Sequence, residues 1–134
     1  MQQTALLLSA TPIYAGVLGL IYIYLSFRVV GRRKSLQLAL GDGGDTELLR
    51  RLRVHGNFAE YVPLVLILIL MCELQGAPVL LVHALGLAFT IGRVSHAYGV
   101  SQPKEQLIFR MTGMILTFAT LTISAVTGIV LAVM

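Results

Sequence analysis

The sequence has no tryptophan, one cysteine and few charges, and each shortage closes a class of explanation. Its aromatic residues lie within apolar stretches, so there is no stacking platform for single-stranded nucleic acid, and no nucleic-acid partner is expected. Cys72 alone cannot close an intrachain disulfide and reads as structural. No carboxylate or thiolate recurs near the histidines at ligand spacing, so no metal site is expected. Charged residues make up only 12% of the chain, against 57% hydrophobic residues and a mean hydropathy of +0.85. A soluble domain of 134 residues is more polar than this. There is no convincing internal repeat and no low-complexity segment.

What is present is a series of long apolar stretches. A membrane-crossing helix needs about 20 mostly apolar residues, and four stretches qualify, with helices expected over 6–29, 48–74, 79–98 and 106–133. The first lacks a basic start and is too long for a cleaved signal, so it is expected to remain as a helix. Pro12 falls in its opening turns, where proline is tolerated. The prediction is an all-α membrane protein forming a single four-helix bundle over residues 1–134.

Basic residues are absent from the second connector, Glu73 to Pro78, and from both termini. Arg28, Arg32, Arg33, Lys34, Arg50, Arg51 and Arg53 surround the first connector, while Arg93, Lys104 and Arg110 surround the third. The positive-inside rule then puts the first and third connectors in the cytoplasm and both termini opposite. Anionic headgroups, not nucleic acid, explain the net charge of +4. Short loops and the lack of an organelle signal suggest a bacterial inner membrane.

The connectors carry turn chemistry. Gly41-Asp42-Gly43-Gly44-Asp45 is a turn cluster, with Thr46 expected to cap the second helix near Glu47. Gln75 to Pro78 is a short turn, Ser101-Gln102-Pro103 closes the third helix, and Pro103 is expected at the start of the fourth. Ala15, Gly16, Gly19, Gly86, Gly113 and Gly128 are candidates for close helix approach.

The head of the second apolar stretch is unusually polar. Arg53, Asn57, Glu60 and Tyr61 follow i, i+4, i+7, i+8 spacing, one stripe on a helix entering the membrane. Ionisable groups there are costly unless they face protein, pair with each other or hold a ligand. The guanidinium, carboxylate, amide and phenol together suit a zwitterionic, peptide-like ligand. Arg93 with His96 at i+3 and Tyr98, together with Arg110 and the arginines ending the first helix, brings further positive charge to the same level. That is either an anion pocket or a snorkelling belt.

The run Arg53-Val54-His55-Gly56-Asn57-Phe58-Ala59-Glu60-Tyr61-Val62-Pro63 resembles the Arg-x-x-x-Asn-x-x-Glu-Tyr-x-Pro signature of the MAPEG family, membrane-associated proteins in eicosanoid and glutathione metabolism. Length, four spans and Gly92-Arg93-Val94-Ser95-His96 agree with it, so the resemblance covers nearly the whole chain. It implies a homotrimer with glutathione as co-substrate, held in clefts between subunits that open toward the cytoplasm. By position it assigns glutathione contacts to Arg53, Asn57, Glu60 and Tyr61, with His55 lining the same cleft. Arg93 matches the family's helix-three arginine, and His96 stands where one branch has histidine and another tyrosine. Arg32 or Arg33 supplies the helix-one contact, and Arg110 matches the arginine that activates the thiol.

The implied activity is a glutathione-dependent transferase or peroxidase acting on a lipophilic electrophile delivered through the membrane. Two other classes compete: a non-catalytic family member that binds and presents lipid, and a small transporter subunit. Against transport, the charges gather at one level and trace no path across the membrane. Plainer readings stand beside the site: a structural ion pair of Arg53 and Glu60 across an interface, interface roles for His55 and His96, and packing for His83, Tyr14, Tyr22 and Tyr24. Glu73 reads as an interfacial charge.

Overall fold

A computed structural model of the chain describes residues 8–134, and it consists of α1 (Thr11–Leu36), α2 (Thr46–Leu74), α3 (Val79–Ser101) and α4 (Leu107–Val133). All four helices are long and apolar enough to cross a membrane. Much of the large apolar surface is outward, with Leu20, Phe27, Ile67, Leu80, Ile115 and Ile129 all exposed. Such a pattern suits lipid as the solvent.

The helix limits move in instructive ways. Residues 6 and 7 of the expected first helix lie outside the described residues, and residues 8–10 are not helical. Helix α1 instead runs on to Leu36, well beyond residue 29. Its added turns carry Arg32, Arg33 and Lys34 out of the apolar zone, and cations near a helix C-terminus meet its negative dipole end. Asp45, not Thr46, caps α2: its side chain accepts from the Leu48 N–H at 2.7 Å, and Thr46 is already helical. Helix α2 continues through Pro63, which removes one backbone donor without ending the helix. Pro103 lies in the connector, four residues ahead of α4.

The ends of the bundle are tied by polar contacts. Glu73, at the end of α2, accepts from the backbone N–H groups of Ser9, Ala10 and Thr11, each at 2.8 Å. Those donors open α1 and have no helical partner of their own, so Glu73 is an inter-helix cap. At the other end Arg32 makes a two-pronged pair with Asp45, Glu47 pairs with Arg51, and Arg51 donates to the Arg28 carbonyl. Asp45 lies outside the helices, and its hydrogen bond from Arg32 holds the carboxyl below the usual carboxylate range.

The most intimate packing joins α3 to α4. A Cβ on Gly113 would stand 2.5 Å from the Gly92 carbonyl oxygen and 2.6 Å from the His96 nitrogen. One on Gly99 would stand 2.7 Å from the Arg110 nitrogen. Only glycine allows this approach. Gly92 and Gly99 join Gly113 in that role, whereas Gly16 and Gly19 touch nothing that a methyl group would disturb. Gly86 leaves room for Tyr14, whose hydroxyl lies 3.0 Å from His83 Nδ1. Cys72 is buried, with its sulfur 3.2 Å from the Ser124 carbonyl oxygen.

Candidate functional site

Each residue turns an α-helix by about 100°, and that rotation sorts the polar stripe on α2. Glu60 returns nearly to the exposed line of Arg53, while Asn57 and Tyr61 swing toward α3 and α4. Arg53 and Glu60 are both exposed and make no ion pair with each other among the described residues. Two helical turns, about 10 Å, separate them along the axis. Within one protomer these two therefore do not bridge each other.

Asn57 turns inward and accepts a 2.6 Å hydrogen bond from Arg93 Nη1. Arg93 is 1% exposed, and its guanidinium lies 5.6 Å from the Tyr61 ring and 6.0 Å from the Phe89 ring. Among the described residues its Nη2 reaches only the Met114 sulfur, at 3.5 Å, and its Nε is buried without a partner. No carboxylate lies within ion-pairing distance among the described residues. A buried cation held by an amide, a thioether and two ring faces is short of negative charge.

Above that pair is a cavity of about 310 Å³ at the end of the bundle carrying the first and third connectors. Its walls are Thr46, Leu49, Arg50, Arg53 and Asn57 from α2, His96 and Val100 from α3, Glu105 from the connector and Arg110 from α4. Four sequence-predicted site residues, Arg53, Asn57, His96 and Arg110, thus meet in one concavity although 57 positions separate the first from the last. Arg110 pairs with Glu105 at 2.9 Å yet stays half exposed. His96 is almost buried, held where α4 presses on α3 at Gly113.

The remaining predicted residues lie elsewhere in the protomer. Tyr61 sits one turn deeper than Asn57, edge-on to Phe118 and beneath Arg93, and does not line the cavity. Arg93 lies behind the wall, hydrogen-bonded to Asn57. His55 does not line this cavity either: two residues from Arg53, it points to the far side of α2, where it stacks on Tyr22 and lies 3.0 Å from the Ser26 hydroxyl. Arg32 is committed to Asp45 and Glu47 in the first connector. Arg50 and Glu105 are cavity residues that the motif reading passed over. Extending the stripe backward by i−3 from Arg53 reaches Arg50, whereas nothing in the spacing of Glu105 signals its pairing with Arg110.

Residues 11–130 match the profile of the MAPEG family. The chain belongs to that family. The inner membrane protein YecN of Escherichia coli strain K12 is 36% identical over 111 residues, covering 83% of each chain. YecN of the O6:H1 strain of the same organism gives the same figures. With four membrane-length helices, this MAPEG protein is an integral membrane protein, and its similarity to YecN supports the inner membrane. The family match spans all four helices and takes in every wall of the cavity.

Proposed function

We propose that this protein is a glutathione-dependent transferase or peroxidase that acts on a lipophilic electrophile, working as a homotrimer with the first and third connectors in the cytoplasm. The observation that carries the reading is the meeting of Arg53, Asn57, His96 and Arg110 around one cavity, with the uncompensated Arg93 behind it. Three guanidinium groups, those of Arg50, Arg53 and Arg110, share that cavity with a single carboxylate, Glu105. A peptide with two carboxylates and a thiol supplies the charge this donor set lacks. A volume of about 310 Å³ lies at the lower end of the range for small-ligand sites.

Arg53 and Arg50 are suited to carboxylate recognition through their planar forks, and Asn57, fixed by Arg93, to a peptide amide. Arg110 is the group assigned to the thiol. A thiol of pKa near 8.5 is mostly protonated at neutral pH, and a fixed guanidinium favours its anion. Glutathione would bring a soft sulfur nucleophile for conjugation or peroxide reduction. Glu60 and Arg53 stand exposed on α2, and a neighbouring subunit covering that face would enclose them.

The test is a calorimetric titration of the detergent-purified protein with glutathione, paired with ultraviolet detection of the thiolate. Wild type is expected to bind in the millimolar range or tighter, Arg53→Ala to bind weakly, and Arg110→Ala to bind without the thiolate signal. Absence of wild-type binding at millimolar ligand removes the basis of the proposal. Normal binding by Arg53→Ala moves the site away from this cavity.

A further inference from the structure

Arg28 presents a different problem from the arginines of the cavity. It lies 17 residues into α1 from Thr11, about 26 Å along the axis, and so within the depth of a hydrocarbon core of about 30 Å. Its Nη1 donates to the Ser101 hydroxyl at 2.9 Å, and its guanidinium lies 5.9 Å from the Tyr24 ring. Neither partner carries charge. The six acidic residues are all described, and none pairs with Arg28. Asp45 and Glu47 are held by Arg32 and Arg51, Glu105 by Arg110, Glu73 caps α1, and Asp42 bonds the Gly44 N–H. The remaining one, Glu60, makes no ion pair. Arg28 is half-buried and has no counter-charge among the described residues, and an anion from outside the chain would supply one.

The surroundings indicate what kind of anion. Arg28, Tyr24, Ser101 and Gln102 rim a cavity of about 400 Å³ between α1 and α3, on the face of α3 away from the glutathione-site candidate. Val94 and Tyr98 line this cavity and also a second, almost wholly apolar groove of about 590 Å³ that runs along α3 from Tyr98 and Phe109 at the connector end past Val94 to Ile91 and Thr90. Tyr98 and Phe109 meet edge-on with ring centres 5.1 Å apart and wall the groove. One track therefore has a cationic, hydroxyl-bearing mouth near the connectors and an apolar floor running into the membrane. That is the polarity of a lipid molecule in the adjoining leaflet.

We propose that this track is a binding site for one anionic phospholipid, its phosphate on Arg28 and Ser101 and an acyl chain laid along α3 past Val94. The guanidinium forms charge-assisted hydrogen bonds to the phosphate with the donors that Ser101 leaves free. A zwitterionic lipid offers the same phosphate but brings its own cation to an arginine-rich end, so anionic lipid is preferred. The site is independent of the glutathione reading and shares no residue with that cavity.

The experiment uses the full chain in nanodiscs of phosphatidylcholine with or without phosphatidylglycerol, with native mass spectrometry counting the lipids retained on release. One phosphatidylglycerol per protomer is expected to persist, in preference to phosphatidylcholine. Arg28→Gln should weaken that retention by about tenfold or more, while Arg110→Gln, on the other side of α3, leaves it unchanged. Val94→Trp, which fills the tail groove without altering charge, should lower retention as well. Equal loss in Arg28→Gln and Arg110→Gln would mean a diffuse basic belt and overturns the site. Wild-type retention in Arg28→Gln overturns it also. Thermal stabilisation reproduced by millimolar inorganic phosphate overturns the lipid as occupant. If Arg28→Gln does not fold, Val94→Trp decides: undiminished retention in that variant rejects the proposal.

Discussion

Arg93 donates from Nη1 to Oδ1 of Asn57 at 2.6 Å, joining the buried centre of α3 to the cavity wall on α2. The bond gives a buried cation its best acceptor and gives a wall residue a fixed orientation. On the proposed function, stability and ligand recognition would share this one pair.

Asn57→Ala should cost both. Arg93 would lose its only oxygen partner among the described residues while remaining buried, a penalty of about 1–3 kcal/mol or more for a charged group. The thermal midpoint in detergent is expected to fall, and glutathione affinity to fall with it. An unchanged midpoint would show that water or lipid reaches Arg93 freely.

Gly113→Ala should force α3 and α4 apart, because the added methyl meets the Gly92 carbonyl and the His96 backbone. Overpacking of this kind costs about 1–3 kcal/mol. Gly16→Ala, with nothing within 4 Å of the new carbon, should be neutral or gain up to about 1 kcal/mol in helix propensity. Paired denaturation curves in the same detergent check the contrast.

Removing the Glu73 cap should loosen the start of α1. Glu73→Ala leaves three backbone donors without their carboxylate, a loss of about 1–3 kcal/mol. Hydrogen exchange at Ala10 and Thr11 is expected to quicken first, with the connector end of the bundle unaffected. Uniform quickening along the chain would argue against a local cap.

Acid should act through Asp45. Its carboxyl is held below the ordinary range by Arg32 first and by the Leu48 N–H second. A depressed carboxylate contributes stability that is fully present above its unfolded pKa of about 3.9 and is lost as pH falls through the lower folded value. Thermal midpoints measured downward from about pH 4 should therefore drop for wild type, and Asp45→Asn should remove part of that slope. Equal slopes in the two proteins would dismiss the pair as a pH-dependent contact.

Hydropathy and charge were enough to read four spans, their connectors and the end of the bundle where the arginines gather. Long apolar runs leave a chain in lipid little choice but helix, because no water is there to satisfy the backbone. Periodicity likewise marked Arg53, Asn57, Glu60 and Tyr61 as one stripe, and the eleven-residue motif around them pointed to the family that the comparison with known sequences establishes. Helix ends were less legible. Apolar windows stop at the edge of the membrane, whereas α1 continues for as long as its carbonyls find partners, to Leu36.

The division of labour within the stripe depended on neighbours the sequence does not name. Helical rotation predicts which residues share a face, but only the approach of α3 and α4 turns Asn57 to a buried arginine and leaves Arg53 and Glu60 outside. His55 faced α1 for the same reason, and Arg32 went to Asp45 because the glycine turn brings that carboxylate back across the end of α1. Local composition decided that this chain crosses a membrane as four helices, since that choice is made residue by residue against the solvent. Which polar groups meet was decided only by the tertiary structure, because a hydrogen bond or a clash between helices depends on their relative rotation and separation, set here by glycines at 92, 99 and 113.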